Sequence, residues 1–580
     1  MAKKFTILFL ICSFFTINSQ NLDSDFRIPF EKTNGTETST YSETIDYYKS
    51  LAKKYPEISI FEMGITDSGF PLHLVIFDSS KKFDFKEIRD SKNVILINNG
   101  IHPGEPDGID ATMLLLRDLV QNPNKIKQLE NTIVAIIPIY NIGGSLNRNS
   151  TSRVNQNGPI AYGFRGNARN YDLNRDFIKA DTKNAKAFAQ IFHLINPAIF
   201  IDNHVSNGAD YQYGITHLFT QHNKLGGELG EFIENEMRPQ IEESLLKKDI
   251  SITPYVNVWG KTPDEGFSQY FDSPRYSSGY TTLFNTLGFM IETHMLKPYK
   301  QRVEQTYSLL EIAIDFTIEN GTQIKELRKH AVAKILANKT YPIAFELDKN
   351  TFSILQFKGY EGTLINSKVT NGKRLFYDRT KPFIKPVNYY NEFKPSKEIN
   401  IPEAYILKQG YWNILERLRD NKIEFTILKK DSSFIAEEQH IKDYKTRAEA
   451  YEGHYPHYNT VVISSKKTIA FNKGDIYIPV NQNGARYILE TLEAEAIDSF
   501  FNWNFFDAIL QQKEGYSAYV FEDIAETFLK ENPTLKDSLD LKIETDTSFA
   551  KNPRAQLDFV YKNSPYYEAA HLKLPIYKVY

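Results

Sequence analysis

The stretch Ile97-Asn98-Asn99-Gly100-Ile101-His102-Pro103-Gly104-Glu105-Pro106-Asp107-Gly108 joins an apolar run to a segment with helical spacing. Its first residues close NVILINNG (93–100), short and apolar as a buried strand would be. DATMLLLRDLV (110–120) then repeats its apolar residues at helical intervals. Between the two, His102 and Glu105 stand on backbone that Pro103, Gly104 and Pro106 keep out of a helix. Strand, stiff turn, helix is the repeating unit of an α/β sheet. An imidazole and a carboxylate on one rigid turn are a pair that Zn²⁺ accepts.

The same alternation extends on both sides. PLHLVIFD (71–78), TIVAIIPIY (132–140), AIFIDNH (198–204) and GFMIETH (288–294) are further apolar runs that end in polar residues. TIDYYKSLAKKYP (44–56), NAKAFAQIFHLI (184–195) and the charged stretch 228–246 read as helices between them. Nearly continuous apolar strands separated by helices predict a mixed α/β sheet covered on both faces. In such sheets the working groups gather beyond the carboxyl ends of the strands. Imidazoles or carboxylates follow three of the runs, as His102 and Glu105, as Asp202 and His204, and as Glu292 and His294.

At 580 residues the chain is too long for one core, so several domains are expected. A net charge of −3 gives no reason to expect nucleic acid or an anionic membrane as partner. Lys3 and Lys4 precede FTILFLICSFFTI (5–17), an apolar run too short to span a bilayer comfortably, which reads as a secretory signal peptide over residues 1–19. The single cysteine, Cys12, lies inside that run, so the mature chain of a secreted or periplasmic protein would have no disulfide. No later stretch is long and apolar enough to be a transmembrane helix. Beyond about residue 320 the texture changes. The expected organisation is a catalytic α/β domain over 20–325, a β-rich segment over 335–395 and a C-terminal α/β region over 400–580, with NEFKPSKEI (391–399) as the linker.

A catalytic zinc site takes three protein ligands and leaves a position to water. His204, at the end of its strand-like run, is the leading third ligand beside His102 and Glu105, and His217 is the alternative. Glu292 ends another buried-looking run, where a carboxylate beside the metal would serve as general base. GFRGNARNYDLNRDF (163–177) concentrates arginine and asparagine among aromatic residues. Within it Asn174 and Arg175 suit a carboxylate, which a planar guanidinium grips in bidentate fashion.

Taken together, GIHPGEPDG, DLNRDF, the strand-end His204 and FMIETHM resemble the zinc carboxypeptidases of the carboxypeptidase A superfamily, and long secreted bacterial members have similarly extended tails. The order H-x-x-E, N-R, H, E is that family's order, and the resemblance covers roughly residues 40–320. It implies a mixed eight-stranded sheet flanked by helices and one Zn²⁺ held by His102, Glu105 and His204, with Glu292 as the acid/base. It further implies Asn174 and Arg175 on the terminal carboxylate of a peptide substrate, and Arg165, with Arg169 as competitor, on the scissile carbonyl. Tyr270 matches the substrate-capping tyrosine, with Tyr276 and Tyr280 as alternatives, and Ser277 falls near the side-chain-selecting position. The implied activity is hydrolysis of C-terminal residues from peptides with a free C-terminus. Rival readings are a zinc amidase or peptidase acting on cell-wall peptides or acylated amino acids, and a non-catalytic exported binding protein with a decayed peptidase domain.

Overall fold

A computed structural model describes residues 26–580. The expected signal peptide and Cys12 lie outside the described residues.

The N-terminal half is built on a mixed eight-stranded sheet. Its strands are β1 (Ile58–Ile65), β2 (Pro71–Phe77), β3 (Asn93–Asn98), β4 (Thr132–Ile137), β5 (Ile199–Ser206), β6 (Ile215–Phe219), β7 (Ile252–Pro254) and β9 (Leu287–His294). The short β8 (Phe267–Ser268) instead joins a ribbon of the C-terminal half. The strand order is β1-β2-β4-β3-β5-β9-β6-β7. β4, β3, β5 and β9 run parallel to one another. Their carboxyl ends therefore open on one edge of the sheet, where ligand sites of α/β folds collect.

Alternation along β3 explains why that strand is apolar throughout. Val94 and Leu96 pack with Phe188, Ile191 and Phe192 of the helix Lys183–Ile195. Ile95 and Ile97 face the other way, against Leu115, Leu116 and Leu119 of the helix Asp107–Val120 and Val303 and Leu310 of the helix Tyr299–Ala337. Side chains of period two on a sheet covered on both faces leave no solvent side for polar residues. Two glycines of the opening stretch have specific jobs. Gly100 turns the chain out of β3 at φ +66°. A Cβ at Gly108 would lie 2.4 Å from Cβ of Asn203, so only glycine lets the helix start this close to β5.

Several expectations change in detail. The charged stretch 228–246 forms two helices, Gly227–Phe232 and Arg238–Leu246, joined by a π turn over Ile233–Met237. The last helix of the first half runs on to Ala337, past the expected boundary at 325. The stretch expected as a linker holds a strand, Phe393–Asn400, paired antiparallel with Thr340–Leu347. Its lysines and glutamate mark an exposed strand pair, where charge is tolerated, and not a tether. A long hairpin, Ser353–Asn366 with Lys373–Tyr390, lies between these two strands in the chain.

The C-terminal region adds a six-stranded sheet and a small helical cluster with its own core around Phe521, Leu539, Phe549 and Tyr561. The strand–helix–strand reading of 401–428 is met by Ala404–Leu407, Trp412–Asp420 and Thr426–Ile427. This region shares one apolar cluster with the first half, in which Phe177, Tyr280 and Leu283 meet Tyr487, Phe500 and Trp503. No helix among the described residues is long and apolar enough to cross a membrane.

Candidate active site

Beyond the carboxyl ends of β3, β5 and β9 lies a cleft of about 530 Å³, lined by His102, Glu105, His204, Glu292, Asn174, Arg175, Arg165, Arg153, Tyr270, Tyr276 and Asp272 among others. That volume suits a small ligand or the end of a peptide. The rigid turn after β3 delivers His102 and Glu105, both buried. β5 delivers His204, whose register partner on β9 is Glu292.

Three donor atoms converge. Oε2 of Glu105 lies 3.4 Å from Nδ1 of His102 and 3.1 Å from Nδ1 of His204. His102, Glu105 and His204 each offer a ligand atom within 4.8 Å of the others. The far nitrogen of each ring is also accounted for. Nε2 of His102 donates to Oδ1 of Asp172 at 2.8 Å, and Nε2 of His204 donates to Oδ2 of Asp202 at 2.9 Å. A carboxylate on Nε2–H fixes the tautomer that leaves the Nδ1 lone pair free, the arrangement found behind metal-ligating histidines. Two imidazoles and one carboxylate, buried and oriented in this way, fit a catalytic zinc.

The charges around this set are strongly coupled. Burial pushes the Glu105 carboxyl up, but Arg153, His102 and His204 outweigh it and hold the group well below the usual range. Burial opposes the charged form of His204, yet Asp202 and Glu105 raise it well above an ordinary histidine. Asp172 is likewise held low against its burial by His102, Arg165 and Arg175. Glu292 goes the other way. Burial is the largest influence and Glu105 adds to it, so despite His204 its carboxyl is raised to about 8.

Arginines line the rest of the cleft. Nη1 of Arg153 lies 2.6 Å from Oε1 of Glu105, and Nη1 of Arg165 lies 3.5 Å from the same oxygen. Arg165 also donates from Nε to Asp172 at 2.9 Å. Arg169, the competing choice, turns away and donates to the Asp181 carbonyl at 3.2 Å. The short 3-10 turn Leu173–Arg175 carries the Asn-Arg pair, with Asp172 as its N-cap. Asn174 accepts the Ser277 N–H at 3.1 Å, and the Arg175 guanidinium stacks 4.5 Å over the Tyr276 ring.

Tyr270 and Tyr276 both line the cleft and are hydrogen-bonded through their hydroxyls. Tyr280 is buried in the apolar cluster, where its hydroxyl meets Asn421. His217 pairs with Glu242 at 2.7 Å and stands apart from the donor set. Ser277 is fully buried and donates to Asp202, so it does not face the cleft. Asp272 does line it, with Oδ2 held by the Ser278 hydroxyl and Oδ1 buried without a partner.

Residues 44–197 match the family model described as Zinc carboxypeptidase. The matched segment contains His102, Glu105, Arg165, Asn174 and Arg175 and ends before His204 and Glu292. Among curated proteins, the chain is similar to Carboxypeptidase 2 of Trichophyton rubrum, 21% identical over 80% of this chain and 84% of the relative. Carboxypeptidase 2 of Trichophyton tonsurans is 22% identical over 83% of this chain and 87% of its own length. Among solved structures, carboxypeptidase A from Helicoverpa armigera covers 49% of this chain and 73% of its own, at 14% identity and a TM-score of 0.35. The family match and the carboxypeptidase-named relatives support a metallocarboxypeptidase hydrolase. These curated relatives are fungal.

The reading from sequence gave no role to Asp172, Asp202 or Arg153. Asp172 stands two places before Asn174 in DLNR, and the need of a metal-bound imidazole for a carboxylate on its far nitrogen was the available signal. Asp202 stands two before His204, with the same signal. Arg153 carries none, because it comes from an irregular segment where no pattern indicates which way a side chain turns.

Proposed function

We propose that this chain is a secreted zinc metallocarboxypeptidase that removes the C-terminal residue of peptides. The observation that carries the reading is the buried convergence of His102 Nδ1, Glu105 Oε2 and His204 Nδ1, with carboxylates fixing both rings and Glu292 alongside. Zinc, when bound, supplies a Lewis acid for a water and for the scissile carbonyl. Glu292 takes the proton of the attacking water and returns it to the departing amine. Arg165, partly exposed beside Glu105, offers N–H groups to the carbonyl oxygen as charge develops there. Asn174 and Arg175 hold the terminal carboxylate, which fixes the register of the scissile bond. Tyr270 or Tyr276 closes over the bound residue. Export rests on the basic and apolar N-terminus.

Paired substrates test this. An N-blocked dipeptide with a free carboxylate should be hydrolysed, and the same dipeptide amidated at its C-terminus should be a poor substrate. Equal rates on both, or preference for a muropeptide, would move the reading to an amidase of cell-wall peptides.

A further inference from the structure

A tight turn of the C-terminal region packs on the loop that carries Asp172, Asn174 and Arg175. Tyr451 and His454 are joined by two backbone hydrogen bonds, the N–H of each donating to the carbonyl of the other at 2.8 and 3.1 Å. Between them Glu452 (φ +50°) and Gly453 (φ +79°) hold left-handed backbone. A glutamate in that region is uncommon and persists only where its surroundings specify it. The surroundings are close. A Cβ at Gly453 would lie 2.5 Å from the Tyr171 hydroxyl, so the turn sits directly on the loop 163–177. Nε2 of His454 lies 2.6 Å from Oδ2 of Asp181 and ties the turn to the chain just after that loop.

The Glu452 side chain points at the working part of the loop. Its Oε2 accepts the backbone N–H of Asp172 at 2.8 Å. Asp172 in turn holds His102, accepts from Arg165, and caps the 3-10 turn by accepting the Asn174 N–H at 2.9 Å. One carboxylate from a segment 280 residues away thus fixes the residue on which a metal-ligand histidine and the Asn-Arg pair both depend. The electrostatics run against a casual contact. Glu452 is half-buried, and burial raises its carboxyl with help from the Asp172 charge, while the Asp172 N–H it accepts, Lys179 and Arg175 favour the ionised form. A second C-terminal carboxylate, Asp498, takes the Arg275 N–H at 3.0 Å and its guanidinium at 2.7 Å, which anchors the segment leading to Tyr276.

We propose that Glu452 is a positioning residue of the active site, through which the C-terminal region holds the Asp172–Arg175 turn in the geometry that receives the substrate's terminal carboxylate. This rests on the carboxypeptidase reading above. The region then supports the binding wall from behind through Asp172.

The test compares E452A and E452Q in the full chain, using a free-carboxylate N-blocked dipeptide, zinc content and amide exchange over residues 171–176. Gln keeps an oxygen that can accept the Asp172 N–H, whereas Ala does not. E452A should raise KM by about tenfold or more while kcat changes by less than about threefold and zinc content is unchanged. E452Q should return KM to within about threefold of wild type. Wild-type KM in E452A overturns the proposal, as does a KM in E452Q as high as in E452A. If E452A does not fold, E452Q decides alone, with a KM raised by about tenfold or more as the contradicting result. If the wild-type chain leaves the dipeptide intact, the carboxypeptidase reading fails separately. Amide exchange then decides, expected to accelerate about tenfold in E452A and not in E452Q, with unchanged exchange overturning the proposal.

Discussion

Glu292 and His204 are register partners on adjacent parallel strands, each two residues before its strand's end and delivered to the same edge of the sheet. That pairing sets a carboxyl beside the donor set without making it part of the set, as a general base requires. Its burial raises the carboxyl to about 8, so without a cation it holds its proton at neutral pH. A bound cation favours the ionised form, so zinc uptake at pH 7 should release a proton that E292Q does not release. E292Q should keep its zinc and lose about 10²–10⁴ in kcat. Near-normal turnover would remove Glu292 from the base role.

Asp172 and Asp202 each hold the far nitrogen of a proposed ligand. D172N should lower zinc affinity by about 10- to 100-fold, measured by competition with a chromogenic chelator. Unchanged affinity would show that the tautomer of His102 is set by something else.

The reach of the sequence is clearest in which residues were visible. His102, Glu105, His204 and Glu292 all close or follow apolar runs, and parallel strands bring such ends together whatever the loops do. Arg153 was not visible because it comes from the irregular stretch after Leu146, where no periodicity indicates which way a side chain turns. Spacing favoured Tyr270, with Tyr276 and Tyr280 as alternatives. The structure separates them by burial, with Tyr280 in the apolar cluster and the other two at the cleft. Ser277 shows the same weakness, since a shift of a few residues in an irregular loop exchanges a cleft residue for a core one. The strand Phe393–Asn400 was hidden because exposed strand pairs carry charge and so resemble linkers. The C-terminal contribution was hidden because nothing local in 451–454 marks a partner far away in the chain.

Side-chain preference should follow Asp272. It lines the cleft with an unpartnered oxygen, and its carboxyl is raised to about 7, chiefly by burial. A cationic or hydrogen-bond-donating C-terminal side chain would satisfy that oxygen, and an acidic one would be repelled. Across a panel of N-blocked dipeptides, C-terminal Lys or Arg should exceed Asp or Glu in kcat/KM by about tenfold or more, and D272N should narrow the gap. Preference for acidic residues would exclude Asp272 as the selector.

Asp110 gives a stability prediction away from the metal. It is fully buried, accepts from Ser39 N–H, Ser39 Oγ and Tyr299 Oη at 3.2, 2.9 and 2.5 Å, and is raised to about 6 because burial outweighs those bonds. A carboxyl raised in the folded state contributes stability below its unfolded pKa of about 4 and loses it as pH rises through about 6. The loss is on the order of 2 kcal/mol between pH 4 and pH 7. D110N should lack this decline, seen as a smaller difference between its denaturant midpoints at the two pH values than wild type shows. An equal difference in both proteins would mean that Asp110 does not change protonation on unfolding.

The most direct test is the metal content of the purified mature protein, measured together with release of the C-terminal residue from an N-blocked dipeptide. One zinc per chain is predicted, with hydrolysis abolished by a chelator and restored by added zinc. A metal-free protein that hydrolyses the dipeptide at full rate, or a zinc-loaded one that never does, would contradict the account.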